Sequence, residues 1–260
     1  MICRHFKQGQ KLNVADLNEI TVLIDRSETE LTEVALNSWK AGLDGPPHFH
    51  DQKEQLFFIT QGNGVVKIGD AAYSAAVGDL FYVPAGVVHQ TVTGDGLPLE
   101  YLLFNAFLSE DKEGHASFAD HIEKVKATRK LQAQTQQAGD GSRQIPPPSQ
   151  ARGRHFPSVL AETPGMSGSM SRKPVLNRGD ARRCEVLVFG CPANTISSQE
   201  SDRNKEQTLF ILKGNGNVTV GGDAQAVEYG DVVFVPRDAP FGLQAGPEGL
   251  SLLALGTILK

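Results

Sequence analysis

The chain repeats itself, and this limits what it can fold into more than any other feature. Lys53 to Gly69, KEQLFFITQGNGVVKIG, and Lys205 to Gly221, KEQTLFILKGNGNVTVG, are identical at ten of 17 positions at an offset of 152, where chance gives about one match. The same offset, without a gap, places GDLFYVP from Gly78 on GDVVFVP from Gly230. Self-similarity at a fixed spacing marks two copies of one structural unit. Within each copy, short β-branched and aromatic runs alternate with Gly, Asn and Asp, which predicts many short antiparallel strands. GNG reads as a hairpin turn between two such runs. Units of about 90 to 105 residues match a small β-barrel or a double-sheet jelly roll.

The stretch between the copies differs from both. From His115 to Gln137, Phe118, Ile122, Val125 and Leu131 stand at helical spacing among charges and glutamines, predicting one amphipathic helix with a thin apolar face. From Ala138 to Ser171, Gly, Pro, Ser and Gln take over, as in IPPPSQ and TPGMSGSMS. Such a stretch buries too little apolar area to offset its ordering entropy, so 139–171 is expected to be disordered. The domain reading is therefore a first barrel over 1–108, a solvated linker with one helix over 109–172, and a second barrel over 173–260. At 260 residues the chain is long enough to bury its cores without disulfide or metal staples.

Charge and cysteine usage remove several function classes. Lys and Arg number 25 against 30 Asp and Glu, a net charge of -5 with no basic stripe, so nucleic acid is not an expected partner. No apolar run approaches the roughly 18 to 20 residues of a membrane span, and MICRHFKQGQ does not resemble a signal peptide. Cys3, Cys184 and Cys191 are odd in number and lack zinc-type spacing, reading as reduced thiols. A cytoplasmic protein without membrane partners is the expectation.

The chemistry gathers in the first copy. His48 and His50 are alternate residues of an extended segment, so their imidazoles project to one side about 6 to 7 Å apart along the backbone. Gln55 opens the next strand, and His89 follows the rigid PAG turn of Pro84–Gly86. Closure of a small barrel would bring all four inward. Neutral imidazole is the commonest transition-metal ligand, so the set reads as a site for one divalent ion, Zn, Ni, Fe or Mn. By strand parity Phe57, Thr91 and Tyr101 are candidate pocket residues, with Asn105 beside Tyr101 on the last strand. Trp39 is expected in the core, or stacked on a sugar. His5, His115, His121 and His155 lie outside these motifs and are expected at the surface. In the second copy His48, His50 and His89 become Glu200, Asp202 and Phe241, while Gln207 stands opposite Gln55. Two carboxylates and an amide leave a hard cation such as Mg or Ca conceivable there, but a structural barrel fits better, since Phe cannot ligate.

Gly42, His48, His50, Gln55 and Gly62, followed by Gly78, Pro84, Gly86 and His89, resemble the paired signature motifs of the cupin superfamily. With two copies the chain resembles a bicupin. The resemblance implies an all-β fold of two tandem cupin barrels (jelly-roll, or double-stranded β-helix) joined by a helical and flexible linker. It also implies an intramolecular pseudo-dimer of barrels and leaves higher homo-oligomers open. Many cupin enzymes carry Glu where this chain has Gln55. Exchanging a carboxylate for an amide leaves a bound ion with one more unit of local positive charge, which favours Lewis-acid over redox chemistry. Three His and one Gln are similar to the set in small cupins that ketonise unsaturated uronates and in some polyketide-cyclising cupins. Thr93 stands where most second motifs have Asn.

The functional expectation is a metal-dependent, non-redox enzyme of the isomerase, tautomerase or cyclase type, acting on a small oxygen-rich or carbohydrate-derived substrate. One alternative is an Fe- or Mn-dependent dioxygenase. Another is a non-catalytic binding or storage bicupin, against which stands the complete ligand set of the first copy. No general acid or base is identifiable at this level.

Overall fold

A computed structural model describes residues 1–14, 16–112, 115–137, 152–161 and 169–259, with backbone alone over 128–137. In chain order its strands are β1 (Ile2–His5), β2 (Gln10–Val14), β3 (Asn18–Ile24), β4 (Thr32–Trp39), β5 (Lys53–Gln61), β6 (Gly64–Ile68), β7 (Ala71–Ala75), β8 (Leu80–Val83), β9 (His89–Thr93) and β10 (Leu99–Phe107). Helix α1 (Phe118–Gln137) follows, then β11 (Arg154–Phe156), β12 (Ser171–Leu176), β13 (Cys184–Cys191), β14 (Lys205–Val220), β15 (Asp223–Glu228), β16 (Asp231–Val235) and β17 (Phe241–Ile258). The strand-rich, two-barrel architecture is the expected one.

Among the described residues the strands form three sheets. One runs β11-β8-β5-β10-β4-β3-β2 and faces the small sheet β7-β6-β9 to make the first barrel. The other runs β1-β16-β14-β17-β13-β12, with β15 on β14, and curls into the second. Buried side chains sort into three cores. Phe57, Ile59, Phe81 and Leu103 fill the first barrel, and Leu209, Ile211, Val233 and Leu252 the second. The third core lies between the barrels and mixes Leu56, Phe58, Leu102 and Phe104 with Val186, Phe210, Leu253 and Leu255. β5 is therefore buried on both faces, which is why LFFI reads as a continuous apolar run rather than an alternation.

Three differences from the sequence reading have physical causes. The GNG segments are not hairpin turns. β5 pairs with β8 and β10, whereas β6 pairs with β7 and β9, so Gly62 and Asn63 carry the chain from one sheet to the other. In the second barrel the equivalent residues lie inside the continuous strand β14, with register shifts around Gly214. Gly62 has φ +77°, and a Cβ there would stand 2.3 Å from the Pro98 carbonyl oxygen, so only glycine fits.

β1, counted with the first barrel by sequence position, pairs antiparallel with β16 of the second. Part of the region read as linker also packs. β11 pairs with β8, Val159 is buried in the inter-barrel core, and the Ser158 N–H donates to Asp79. The predicted helix is present, with Phe118, Ile122 and Val125 against the first core. The Leu131 side chain, and 139–151 and 162–168 of the stretch expected to be disordered, lie outside the described residues.

Candidate functional site

His48 and His89 face each other across an antiparallel bridge, each N–H donating to the other's carbonyl at 3.0 and 2.8 Å. The PAG turn holds the third histidine, since the Gly86 N–H donates to the His50 carbonyl at 2.9 Å. Gly86 has φ +76°, the left-handed conformation that its missing Cβ permits. The three imidazoles converge with ring centroids 4.3 to 5.5 Å apart, and their nitrogens can all lie within 4.8 Å of one another. His48 Nδ1 sits 2.9 Å from the Pro46 carbonyl and His89 Nδ1 3.2 Å from the Val87 carbonyl. A carbonyl only accepts, so each Nδ1 carries the proton and each Nε2 presents a lone pair. Burial, then the Lys53 charge and the neighbouring histidines, hold the His50 imidazole well below its ordinary range. Burial and His48 do the same to His89. These two rings are therefore neutral at neutral pH, the form that binds metal.

Gln55 stands on β5, with Phe57 next on the same face. Its Nε2 donates to Asn105 Oδ1 at 2.9 Å, while its Oε1 is buried with no hydrogen-bond partner. Glu54 points to the opposite face, into the contact between the barrels, and accepts from Tyr82 and from the N–H groups of Arg182, Arg183 and Cys184.

Gln55 and the three histidines line a cavity of about 340 Å³, together with Asn18, Trp39, Phe57 and Tyr101. That volume suits a small molecule. Thr91 is not on the cavity wall; it lies behind Tyr101, its Oγ1 3.4 Å from the Tyr101 hydroxyl. Trp39 is both core and wall, 4% exposed with Nε1 donating to that hydroxyl at 2.9 Å.

The expectation that His115, His121 and His155 lie at the surface is corrected. His115 is buried with Nε2 2.9 Å from Glu33. His155 stacks on Phe81 at 4.5 Å and contacts Asp79 at 3.1 Å. His121 lies on α1, which lines the cavity with Phe118, Ile122 and Val125 as well. Its ring is 5.9 Å from His50 and 4.6 Å from His115, and burial, then Lys53 and His115, push its pKa down to about 2. The apolar spacing of the helix was the available signal for this: the turn that buries Phe118 and Ile122 also carries His121 inward.

The second barrel closes off its counterpart. Glu200 bridges to Phe241 as His48 does to His89, but Glu200 is paired with Arg172 and Asp202 with Arg178. Phe241 packs into the barrel core. Among the described residues one group of three convergent metal-ligand side chains exists, that of the first barrel.

Comparison with known proteins agrees with this geometry. Residues 37–105 match the Cupin_2 family, described as a cupin domain. No curated protein matches the sequence. Among solved structures, the oxalate decarboxylase of Lactobacillus farciminis, in a formate complex, superposes with a TM-score of 0.68 at 15% identity, covering 100% of this chain and 87% of that one. The Bacillus subtilis oxalate decarboxylase, which has Mn(II) centres, gives 0.64 at 17% identity with 98% and 76% covered. A cupin 2 conserved barrel domain protein from Leptotrichia buccalis gives 0.62 at 11% identity with 99% and 96% covered. At these identities the likeness speaks for the fold. Residues 37–105 thus carry a cupin domain, and the chain as a whole shares the two-barrel fold of these structures.

Proposed function

We propose that the first barrel binds one divalent transition metal through His48, His50, His89 and Gln55, and uses it in non-redox chemistry on a small, oxygen-rich substrate. The observation that carries this reading is the convergence of three imidazoles on the wall of one cavity, which Gln55, with a buried and unpartnered amide oxygen, also lines. The donor set fits a borderline ion: three neutral nitrogens and one neutral oxygen. When bound, the metal would polarise a carbonyl or hydroxyl, or lower the pKa of a bound water.

The remaining work falls to the chain's own side chains. Trp39, Phe57, Tyr101 and Leu103 give the cavity an apolar wall that excludes water. At the Asn18 end, Nδ2 donates to Asn37 while Oδ1 is buried without a partner. That oxygen is an acceptor for a substrate hydroxyl, which favours hydroxy acids and sugar acids. His121 and Lys53 also face the cavity.

The test is turnover of a panel of hydroxy acids and uronates by the metal-loaded protein, followed by NMR under argon and under air. Isomerisation, cyclisation or exchange of carbon-bound protons at equal rates in both supports the reading. Turnover that requires oxygen would replace it with the dioxygenase alternative.

A further inference from the structure

Gln55 is the one member of the set whose usefulness depends on which end faces inward. Its carbonyl oxygen can ligate and its NH2 cannot. The two ends are nearly the same size, so hydrogen-bond partners decide the choice. Those partners lie directly abreast across three strands: Glu33 on β4 is in register with Asn105 on β10, which is in register with Gln55 on β5. Glu33 is fully buried, and as a carboxylate it only accepts. Asn105 Nδ2 donates to Glu33 Oε1 at 2.6 Å, while His115 holds the other oxygen and Lys53 Nζ stands 3.9 Å away. With its NH2 committed to Glu33, Asn105 turns Oδ1 to β5, where it accepts from Gln55 Nε2 at 2.9 Å. The Gln55 Oε1 is thereby left without a hydrogen-bond partner, on a residue that lines the cavity with the histidines.

The second barrel supplies an internal comparison. The strands that repeat this register place Glu185 beside Gly256 and Gly256 beside Gln207. The Lys–Glu pair survives, with Lys205 Nζ 3.8 Å from Glu185. The middle residue has no side chain, and a Cβ there would meet Lys205 at 2.8 Å. Gln207 Nε2 is buried without a hydrogen-bond partner. The barrel that has the histidines has the asparagine; the barrel without them has neither.

The geometry points to Asn105, anchored by Glu33, as the positioning residue that fixes the Gln55 carbonyl toward the metal. The same relay specifies an amide at position 55. An ionised Glu there would set an acceptor against Asn105 Oδ1, and Asn105 cannot turn over without setting that oxygen against Glu33. The neutral charge of the fourth ligand is thus dictated from β4. This inference rests on the metal reading above.

The test is titration of the metal-free protein with Co(II), following affinity and visible absorption, for the wild type, Gln55→Leu, Asn105→Ala and the double variant. Outer partners of metal ligands contribute about 10- to 100-fold in affinity. Asn105→Ala is expected to lose affinity in that range and to take on the absorption bands of Gln55→Leu, and the double variant to match Gln55→Leu alone. An unchanged Asn105→Ala would overturn the proposal. So would a loss that recurs in full in the Gln55→Leu background, because Asn105 would then act without Gln55. A wild type that binds no Co(II) would sink the metal reading itself. Should Asn105→Ala not fold, Zn(II) added to labelled wild type is expected to shift the Gln55 side-chain carbonyl carbon while its amide protons stay protected from exchange. An unmoved carbonyl, or freely exchanging protons, would overturn the assignment.

Discussion

Two of the three neighbouring imidazoles, His50 and His89, stay neutral because a proton on either would be a buried charge close to a lysine. His50 and His89 are both held well below the ordinary histidine range, first by burial and then by charged neighbours. Depressed native pKa values mean that the unfolded chain binds more protons than the folded one once the pH falls below about 6.5. The stability contribution is complete above that pH and drains away below it, by up to about 1.4 kcal/mol per pH unit for each such histidine. Thermal melts of the metal-free protein between pH 8 and 5 are expected to fall in the acid range, and a His89→Phe variant to fall less steeply. Equal slopes would remove the imidazole from the account. The convergence of His48, His50 and His89 was legible in the sequence because alternate residues of one extended segment and a rigid turn set them on facing segments of the barrel. His115, His121, Asn105 and Glu33 were not legible as a group, because they meet only through helix docking and the register of β4 on β10.

α1 shows how little of an element's role its periodicity reveals. Phe118 and Ile122 are 1% and 2% exposed against the barrel core, and Val125 continues the same face, yet the helix was legible only as amphipathic. Which surface receives it is a tertiary matter. Truncating one anchor, Ile122→Ala, is expected to weaken docking by about 2 to 4 kcal/mol. Hydrogen exchange should rise across 118–127 with little change in β4, β5 and β10; exchange rising equally in those strands would show that the helix belongs to the cooperative core. The short strands tell the same story. β1 and β11 carry three or four residues each and pair with β16 and β8, far away in sequence. No local pattern could assign those partners. The GNG segments misled in the other direction, since Gly-Asn-Gly at a sheet crossing has the composition of a hairpin turn.

The two barrels pack against each other through a shared core, and repeat-equivalent residues do equivalent work on each side of it. Phe58 and Phe210 are repeats of one another, and their rings meet at 5.9 Å. Glu54 accepts from the N–H groups of Arg182 and Arg183, while its repeat Glu206 accepts from those of Glu30 and Leu31. The duplication was legible; these carboxylates were not, because a Glu at a strand start looks solvated. Glu54→Ala leaves three amide N–H groups and the Tyr82 hydroxyl without their acceptor, and is expected to cost about 4 kcal/mol or more in chemical denaturation, each stranded group contributing about 1 to 3. Metal content should not change. A neutral effect on stability would mean that water replaces the carboxylate.

The central claim, one metal held by the first barrel alone, is tested most directly by counting metal per chain. Elemental analysis of the protein after incubation with divalent ions and dialysis should be run beside His50→Ala and its second-barrel counterpart Asp202→Ala. The account predicts about one Zn, Ni, Fe or Mn in the wild type and in Asp202→Ala, and none in His50→Ala. No metal in the wild type, or the same content in all three proteins, would contradict it.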